Sequence, residues 1–242
     1  MEFWRDYGKQ SKIVGAPYSP DVDCVSARSL GNRSRFRHCR LVKGPVNLYI
    51  SKSADSGATW SLVQLDTSAS PPDCSAYFCG WAYLGAQITM TSDSAGTLYA
   101  LWNAGTVDKG VERIYFSSST TQGKTWQPKQ NVSLAAVGVE HGFPAITAGS
   151  SGDVRIAWMD SRNTPLWNTY YRSSTNGGAS WSGESQLSSY VAGYSYIQSQ
   201  GFSFPFGDYF EMAIDNAGNT QACWGEGLNY DTPGSIWYTS GR

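Results

Sequence analysis

The sequence predicts an all-β fold of short strands and tight turns, on three observations: its composition, a repeated turn motif and a repeated hairpin. The 242 residues include 26 glycines, 15 tyrosines and 10 tryptophans, and only 15% are charged, against about 25% in an average protein. Glycine is favoured in tight turns and aromatic residues in strands. A chain of this length can form one all-β domain. We therefore assign residues 1–242 to a single domain, with residues 1–45 as an atypical N-terminal segment that is remodelled or partly disordered.

A turn motif with the pattern Ser-x-(Asp/Thr/Asn)-x-Gly-x-(Thr/Ser)-Trp occurs three times. Its copies are Ser53–Trp60, Ser119–Trp126 and Ser174–Trp181. Each copy follows a strand-like run, namely VNLYIS, ERIYFS or NTYYRS, and a fourth such run is SIWYTS from Ser235. The pattern predicts a hairpin turn in which the third residue accepts hydrogen bonds from backbone amides, the glycine adopts positive φ and the tryptophan packs between sheets.

A second hairpin is repeated upstream of three of these runs. Its copies are AQITMTSDSAGTLYALWN, FPAITAGSSGDVRIAWMD and YFEMAIDNAGNTQACWGE. Each reads as strand, tight turn and strand, so the two hairpins together form a four-stranded antiparallel unit. The unit recurs around Tyr49, Tyr115, Tyr170 and Trp237, which is typical of a β-propeller with long connecting loops. The alternative is a β-sandwich that reuses one hairpin.

The turn motifs resemble the Asp-box, or BNR, repeats of sialidases and related propeller proteins, and the resemblance covers about Val46 to Arg242. It implies a propeller whose box turns are structural and lie on the face opposite the active site. Sialidases have six blades, whereas this chain offers about four, or an incomplete ring. The first unit lacks recognisable first and second strands, and the last lacks a fourth strand. Residues around Ile13 to Val14 are one candidate for that fourth strand, and closure by a second chain is the other, so we expect a homo-oligomer.

The long loops opposite the boxes, at what we call the upper end of the blades, carry the candidate catalytic side chains. Paired carboxylates serve glycoside hydrolysis as acid and as base or nucleophile. The sialidase resemblance implies a tyrosine nucleophile assisted by a glutamate, an aspartate acid and three arginines. Tyr209 or Tyr230 with Glu226, and Asp160 or Asp208 as the acid, match those roles. There is no Phe/Tyr-Arg-Ile-Pro motif, and Arg162 is the one arginine in a suitable place. The catalytic candidates are Asp160, Arg162, Asp208, Tyr209 and Glu226.

Two other functions fit the same end of the fold. One is a glycan-binding propeller without catalysis, in which aromatic rings stack on sugar faces; its candidate residues are Trp81, Trp167, Tyr194, Tyr196 and Tyr230. The other is a metal-dependent hydrolase of esters or phosphoesters, with a divalent cation such as calcium held by Asp208, Glu140 or His141. The glycosidase hypothesis requires no cofactor.

Charge and cysteine content indicate which classes of partner the protein binds and where in or outside the cell it acts. The formal net charge is −1, so we expect a carbohydrate or other small-molecule substrate, and neither nucleic acid nor a membrane. The basic stretch Arg28 to Lys43 lacks the interleaved aromatic residues of a nucleic-acid surface. Of the five cysteines, Cys74 and Cys79 have a spacing that permits a disulfide without establishing one. Cys223 lies in an apolar strand pattern and is predicted to be buried. Together these features favour a secreted or otherwise extracytoplasmic protein.

Overall fold

The computed structural model describes residues 11–12, 45–72, 85–163, 166–188, 206–226 and 235–241. These residues form antiparallel sheets in which each strand pairs with the next along the chain, and we number the sheets blades I to IV. The described residues contain no helix, and hence none that could cross a membrane. Blade I comprises β1 (Ser11–Lys12), β2 (Val46–Lys52) and β3 (Ser61–Ser68); blade II comprises β4 (Ile88–Ser92), β5 (Leu98–Gly105), β6 (Glu112–Ser119) and β7 (Gln130–Asn131). Blade III comprises β8 (His141–Ala148), β9 (Val154–Asn163), β10 (Leu166–Ser174) and β11 (Ser185–Gln186); blade IV comprises β12 (Phe206–Ile214), β13 (Thr220–Glu226) and β14 (Ser235–Gly241).

Consecutive blades pack face to face in chain order. The first strand of blade III, β8, contacts the first strands of both neighbours, β4 and β12. A separate hydrophobic cluster fills each interface: Leu48 and Trp102 lie in the first, Phe116 and Trp158 in the second, and Trp167 and Trp224 in the third. Burying one large apolar side chain contributes about 1.5–3 kcal/mol, so these interfaces hold the blades in sequence. The predicted all-β fold of four-stranded antiparallel propeller blades is confirmed, and blades II and III each have all four strands.

All three box turns have the predicted geometry. The first serine accepts a hydrogen bond from the glycine amide, at 2.7 Å for Ser53 and Gly57 and 2.9 Å in the two later copies. The third residue accepts a bond from the amide four residues later, with Asp55 Oδ1 2.8 Å from the nitrogen of Thr59. Thr121 and Asn176 make the same contact at 2.9 Å. The glycine φ angles lie between 78° and 95°, in the region that only glycine adopts without strain.

The box tryptophans pack on the preceding blade. Trp181 lies edge-on against Phe116 of blade II, with ring centroids 4.9 Å apart, and Trp126 is partly buried against the cluster between blades I and II. Trp60 differs: it is 43% exposed, and its Nε1 bonds only locally to the Gly57 carbonyl at 3.1 Å. The expectation that all three pack between sheets is therefore wrong for Trp60, because no described blade precedes blade I.

The two ends of the arc bear on two further expectations, and one of them is wrong. Ser11–Lys12 pair with Ser51 and Lys52 of β2, at the opposite end of the arc from blade IV. Ile13 and Val14 lie outside the described residues, so the expectation that they supply the fourth strand of the last blade stays a prediction. Cys223 is exposed, not buried, because it faces the side of blade IV that no described blade covers. Cys74 and Cys79 lie outside the described residues.

Candidate functional site

A layer of buried polar side chains lies at the upper end of the blades, where β8 and β12 begin and β9 and β13 end. Buried polar groups need hydrogen-bond partners, so their contacts show what each one does. The layer contains Asn103, Glu112, Ser133, Glu140, His141, Asp160, Asn168, Thr169, Ser188 and Glu226.

Asp160, near the upper end of β9, is completely buried and bonded to its own strand. It accepts bonds from Arg162 Nη2 at 2.6 Å and Nε at 2.9 Å, and from Trp158 Nε1 at 3.0 Å. Arg162 also contacts Glu184 and lies 3.6 Å above the centre of the Tyr170 ring. Burial acts to lower the pKa of Arg162, but its bonds to Asp160 and Glu184 outweigh burial and raise it. Asp160 and Arg162 are therefore held together as a fixed ion pair.

His141, the first residue of β8, is a neutral imidazole locked by its neighbours. Burial, and then the charge of Arg113, lower the pKa of His141 to about 3. Its Nδ1 donates to the carbonyl oxygens of Glu112 and Val139, both at 2.9 Å, and its Nε2 accepts from Ser133 Oγ at 2.7 Å. The 3.9 Å separation from Asp160 Oδ2 is therefore not an ion pair.

The metal hypothesis concerns this same region. Among the described side chains, no group of three or more His, Cys, Asp or Glu residues is arranged to hold a metal ion. Both ring nitrogens of His141 are occupied by protein partners. The side chain of Asp208 lies outside what the structure describes. A cation at Asp208, Glu140 or His141 therefore stays a prediction.

Glu112 and Glu140 form a buried carboxyl pair between blades II and III. Glu140 Oε2 accepts a bond from the Glu112 amide at 3.0 Å, and Glu112 Oε2 contacts Asn103 Nδ2. The Oε1 atom of each is buried without a hydrogen-bond partner. Burial raises the pKa of Glu112 to about 8, and burial together with the charge of Glu112 raises the pKa of Glu140 to about 9. Both carboxyls are therefore protonated at neutral pH.

Glu226, the last residue of β13, joins blade IV to blade III. Its Oε2 accepts bonds from Trp224 Nε1 at 2.9 Å and Thr169 Oγ1 at 3.1 Å, and its Oε1 accepts from Asn168 Nδ2 at 3.1 Å. Burial raises the pKa of Glu226, although hydrogen bonds from its neighbours oppose the shift. A carboxyl with a raised pKa that is held in one orientation is suited to donate a proton.

The structure describes only some of the remaining candidate residues. Asp208 and Tyr209 lie in β12, within an irregular stretch between Phe206 and Phe210 that faces the last residues of β13; their side chains are outside what the structure describes. Trp167 is 3% exposed and lies edge-on to Phe143, so its ring belongs to the core and not to an open surface. Trp81, Tyr194, Tyr196 and Tyr230 lie outside the described residues.

The structure thus brings some predicted residues together and adds others. Asp160 and Arg162 are in direct contact, and Glu226 reaches them through Asn168, whose backbone pairs with Asp160. Glu112 and Glu184 were missed by the sequence analysis. Glu112 opens β6 directly after an upper loop, and that position was the available signal. For Glu184 no signal existed, because its contact with Arg162 spans the strand β10 and a box turn.

Comparison with known proteins gives remote structural likenesses. No protein-family model and no curated protein matches the sequence. An α-L-arabinanase from Penicillium chrysogenum complexed with arabinobiose superposes with a TM-score of 0.43 at 12% identity, over 81% of this chain and 68% of that one. An α-L-arabinofuranosidase from Fusarium graminearum gives 0.46 and 13%, over 80% and 53%. A sialidase from Streptococcus pneumoniae gives 0.43 and 12%, over 80% of this chain and 26% of the sialidase. At such identity the chemistry of those enzymes does not transfer to this chain.

Proposed function

We propose that this chain is a propeller glycoside hydrolase of the Asp-box, sialidase-like type, acting outside the cytoplasm, with Glu226 as the general acid. The observation that carries the proposal is the state of Glu226: it is buried, held by three donors and raised in pKa. Cleavage of a glycosidic bond needs a carboxylic acid that is still protonated near neutral pH to protonate the leaving oxygen. Burial shifts the pKa of Glu226 upward, the direction that this role needs.

The second catalytic group in this proposal comes from the neighbouring strand. The stretch of β12 that carries Asp208 and Tyr209 pairs with β13 next to Glu226. Asp208 would serve as base or nucleophile, with Tyr209 as the alternative nucleophile. Asp160 is ion-paired with Arg162, so it acts as a positioning residue. With Trp158 and Arg162 it fixes the upper end of β9, against which Asn168 and hence Glu226 are aligned.

The test is hydrolysis of a panel of chromogenic glycosides and esters, including a sialoside, with and without chelator. Glu226→Gln keeps the size and most hydrogen bonds of the side chain but cannot donate the acid proton. We expect turnover of the accepted glycoside to fall at least about 100-fold, the usual contribution of general acid catalysis. Glu211→Gln is the matched control, because Glu211 is exposed in the same blade and should leave turnover unchanged. Equal turnover in the two variants, with equal thermal stability, would contradict the proposal.

A second candidate is a glycan-binding propeller without catalysis. It is favoured by the finding that Asp160, Arg162 and Glu226 each have protein partners. Such a protein would show no turnover on any substrate in the panel, yet would be retained by an immobilised glycan. Loss of activity on adding the chelator would instead favour the metal-dependent esterase hypothesis.

A further inference from the structure

The strands β2, β6, β10 and β14 occupy the same position in their blades, the third of the four-stranded unit, but corresponding residues in them differ in burial. In blades I to III, two alternating residues of this strand face the next blade and are covered by it. They are Leu48 and Ile50 in β2, Ile114 and Phe116 in β6, and Thr169 and Tyr171 in β10. In blade IV the same positions are Ile236 and Tyr238, which are 70% and 67% exposed.

The second strand of blade IV shows the same contrast. Cys223 corresponds to Leu101 of blade II and Ala157 of blade III, one residue before the tryptophan of each second strand. Leu101 and Ala157 are completely buried, whereas Cys223 is exposed. This face of blade IV, formed by Cys223, Ile236 and Tyr238, is the surface on which a following blade would pack. We call it the tail face.

Blade I carries the matching surface at the other end of the arc. The box tryptophans of blades II and III pack on the blade before them, Trp181 against Phe116 and Trp126 against the cluster containing Ile50. Trp60 is their equivalent and is 43% exposed, next to Leu62 at 52%. We call the surface of Trp60 and Leu62 the head face. Tyr238 of the tail face occupies the position at which Ile50 and Phe116 receive the next tryptophan.

We propose that the tail face of one copy of this chain receives the head face of a second copy, so that Trp60 packs on Tyr238 and Ile236 as Trp181 packs on Phe116. The contact is heterologous, and in a pair of chains it forms twice and closes the ring. Two arcs of four blades give eight, which is within the range of known propellers. The arc itself supplies the argument for a second copy, because the two faces that no described blade covers repeat the two sides of its own internal interfaces.

The first test is the mass of the purified chain by sedimentation velocity. We expect a dimer, and Trp60→Arg and Ile236→Arg should each raise its dissociation constant at least about tenfold, as loss of an interface anchor does. Val137→Arg is the control, since Val137 is fully exposed in the loop between β7 and β8 and should leave the dimer intact. Circular dichroism confirms that the variants remain folded. A wild-type chain that stays monomeric at all concentrations overturns the proposal.

A mixing experiment tests the head-to-tail geometry. Trp60→Arg retains an intact tail face and Ile236→Arg retains an intact head face. An equimolar mixture can therefore form one undamaged contact, and we expect it to dimerise more strongly than either variant alone. If the mixture dimerises no more strongly than the single variants, or if Ile236→Arg leaves the dimer intact, the head face does not bind the tail face and the proposal is overturned.

Discussion

In blades III and IV a tryptophan and a carboxylate two residues apart close the upper end of the second strand. Trp158 bonds to Asp160 and Trp224 bonds to Glu226, because residues two apart on a strand lie on the same face. In blade II the acidic partner comes from the preceding blade, with Trp102 Nε1 2.8 Å from Asp66 Oδ2. The indole therefore has a carboxylate partner in each of these three blades, and the source of the carboxylate varies.

Removing the positive charge of Arg162 beside Asp160 should destabilise the fold. Arg162→Met keeps the aliphatic stem but leaves a buried carboxylate without its ionic partner, so we expect the free energy of unfolding to fall by about 3 kcal/mol. Lys129→Met is the matched control: Lys129 pairs with Asp66 at 2.6 Å but has a well exposed side chain, and its loss should cost less than about 1 kcal/mol. Denaturant unfolding of both variants measures the difference. Equal losses would mean that Asp160 is not held as a buried ion.

At the scale of elements, the box turn of one blade is a packing surface for the blade before it. Gly178 shows how close that contact is: a Cβ atom added there would lie 2.3 Å from Cε1 of Phe116. Glycine is therefore required at position 178 for two reasons. Its φ of 89° is strained for other residues, and any side chain there would collide with the Phe116 ring of blade II.

Two glycine substitutions separate these requirements. Gly96→Ala, at φ 82° with no neighbour within 4 Å, should cost about 1 kcal/mol of backbone strain. Gly178→Ala carries a similar strain and also overpacks the interface, which should add about 1–3 kcal/mol. Thermal or denaturant unfolding of the two variants gives the comparison. If Gly178→Ala is no worse than Gly96→Ala, the interface between blades II and III is looser than the structure shows.

For the molecule as a whole, the interfaces between blades bury titratable groups whose protonation changes on unfolding. Glu112 and Glu140 have pKa values raised from 4.5 to about 8 and about 9, and the pKa of Glu226 is raised as well. Glu112 and Glu140 are protonated in the folded chain and ionised in the unfolded one at neutral pH. Their contribution to stability is complete below pH 4.5 and is lost as the pH rises through the folded-state pKa values.

The effect of His141 on the pH dependence of stability is opposite to that of the carboxyls. Its pKa is lowered from 6.5 to about 3, so the unfolded chain binds a proton that the folded chain does not, and stability is lost as the pH falls through this range. Glu112 and Glu140 together outweigh the single histidine, so we expect stability to be greatest between about pH 4 and pH 5 and to decline steadily towards pH 9.

The pH dependence of global unfolding measures this balance. Each proton that only the folded chain holds contributes a slope of about 1.4 kcal/mol per pH unit. Glu140→Gln should flatten the decline between about pH 6 and pH 9, whereas Glu211→Gln, at an exposed position of β12, should leave it unchanged. A wild-type curve that rises from pH 5 to pH 8 would show that these carboxyls are ionised in the folded state.

The sequence by itself determined the strands, the turns and their order. The hydrogen bonds of each box turn join residues within a few positions of one another, so the motif alone specified them, and the recurrence of two hairpins specified the four-stranded blade. The upper-end position of Asp160 and Glu226 followed from the same order. Arg162 was identified for the same reason.

Only the tertiary structure decided which side chains meet and which are covered. Asn168 and Glu226 come together after blades III and IV have packed, and the burial that raises the pKa of Glu112 and Glu140 comes from the contact between blades II and III. Trp60 and Cys223 carry the same local pattern as counterparts that a neighbouring blade covers, yet both are exposed. The reason is physical: a hairpin sets where a side chain points, but a neighbouring blade decides whether that side chain is buried.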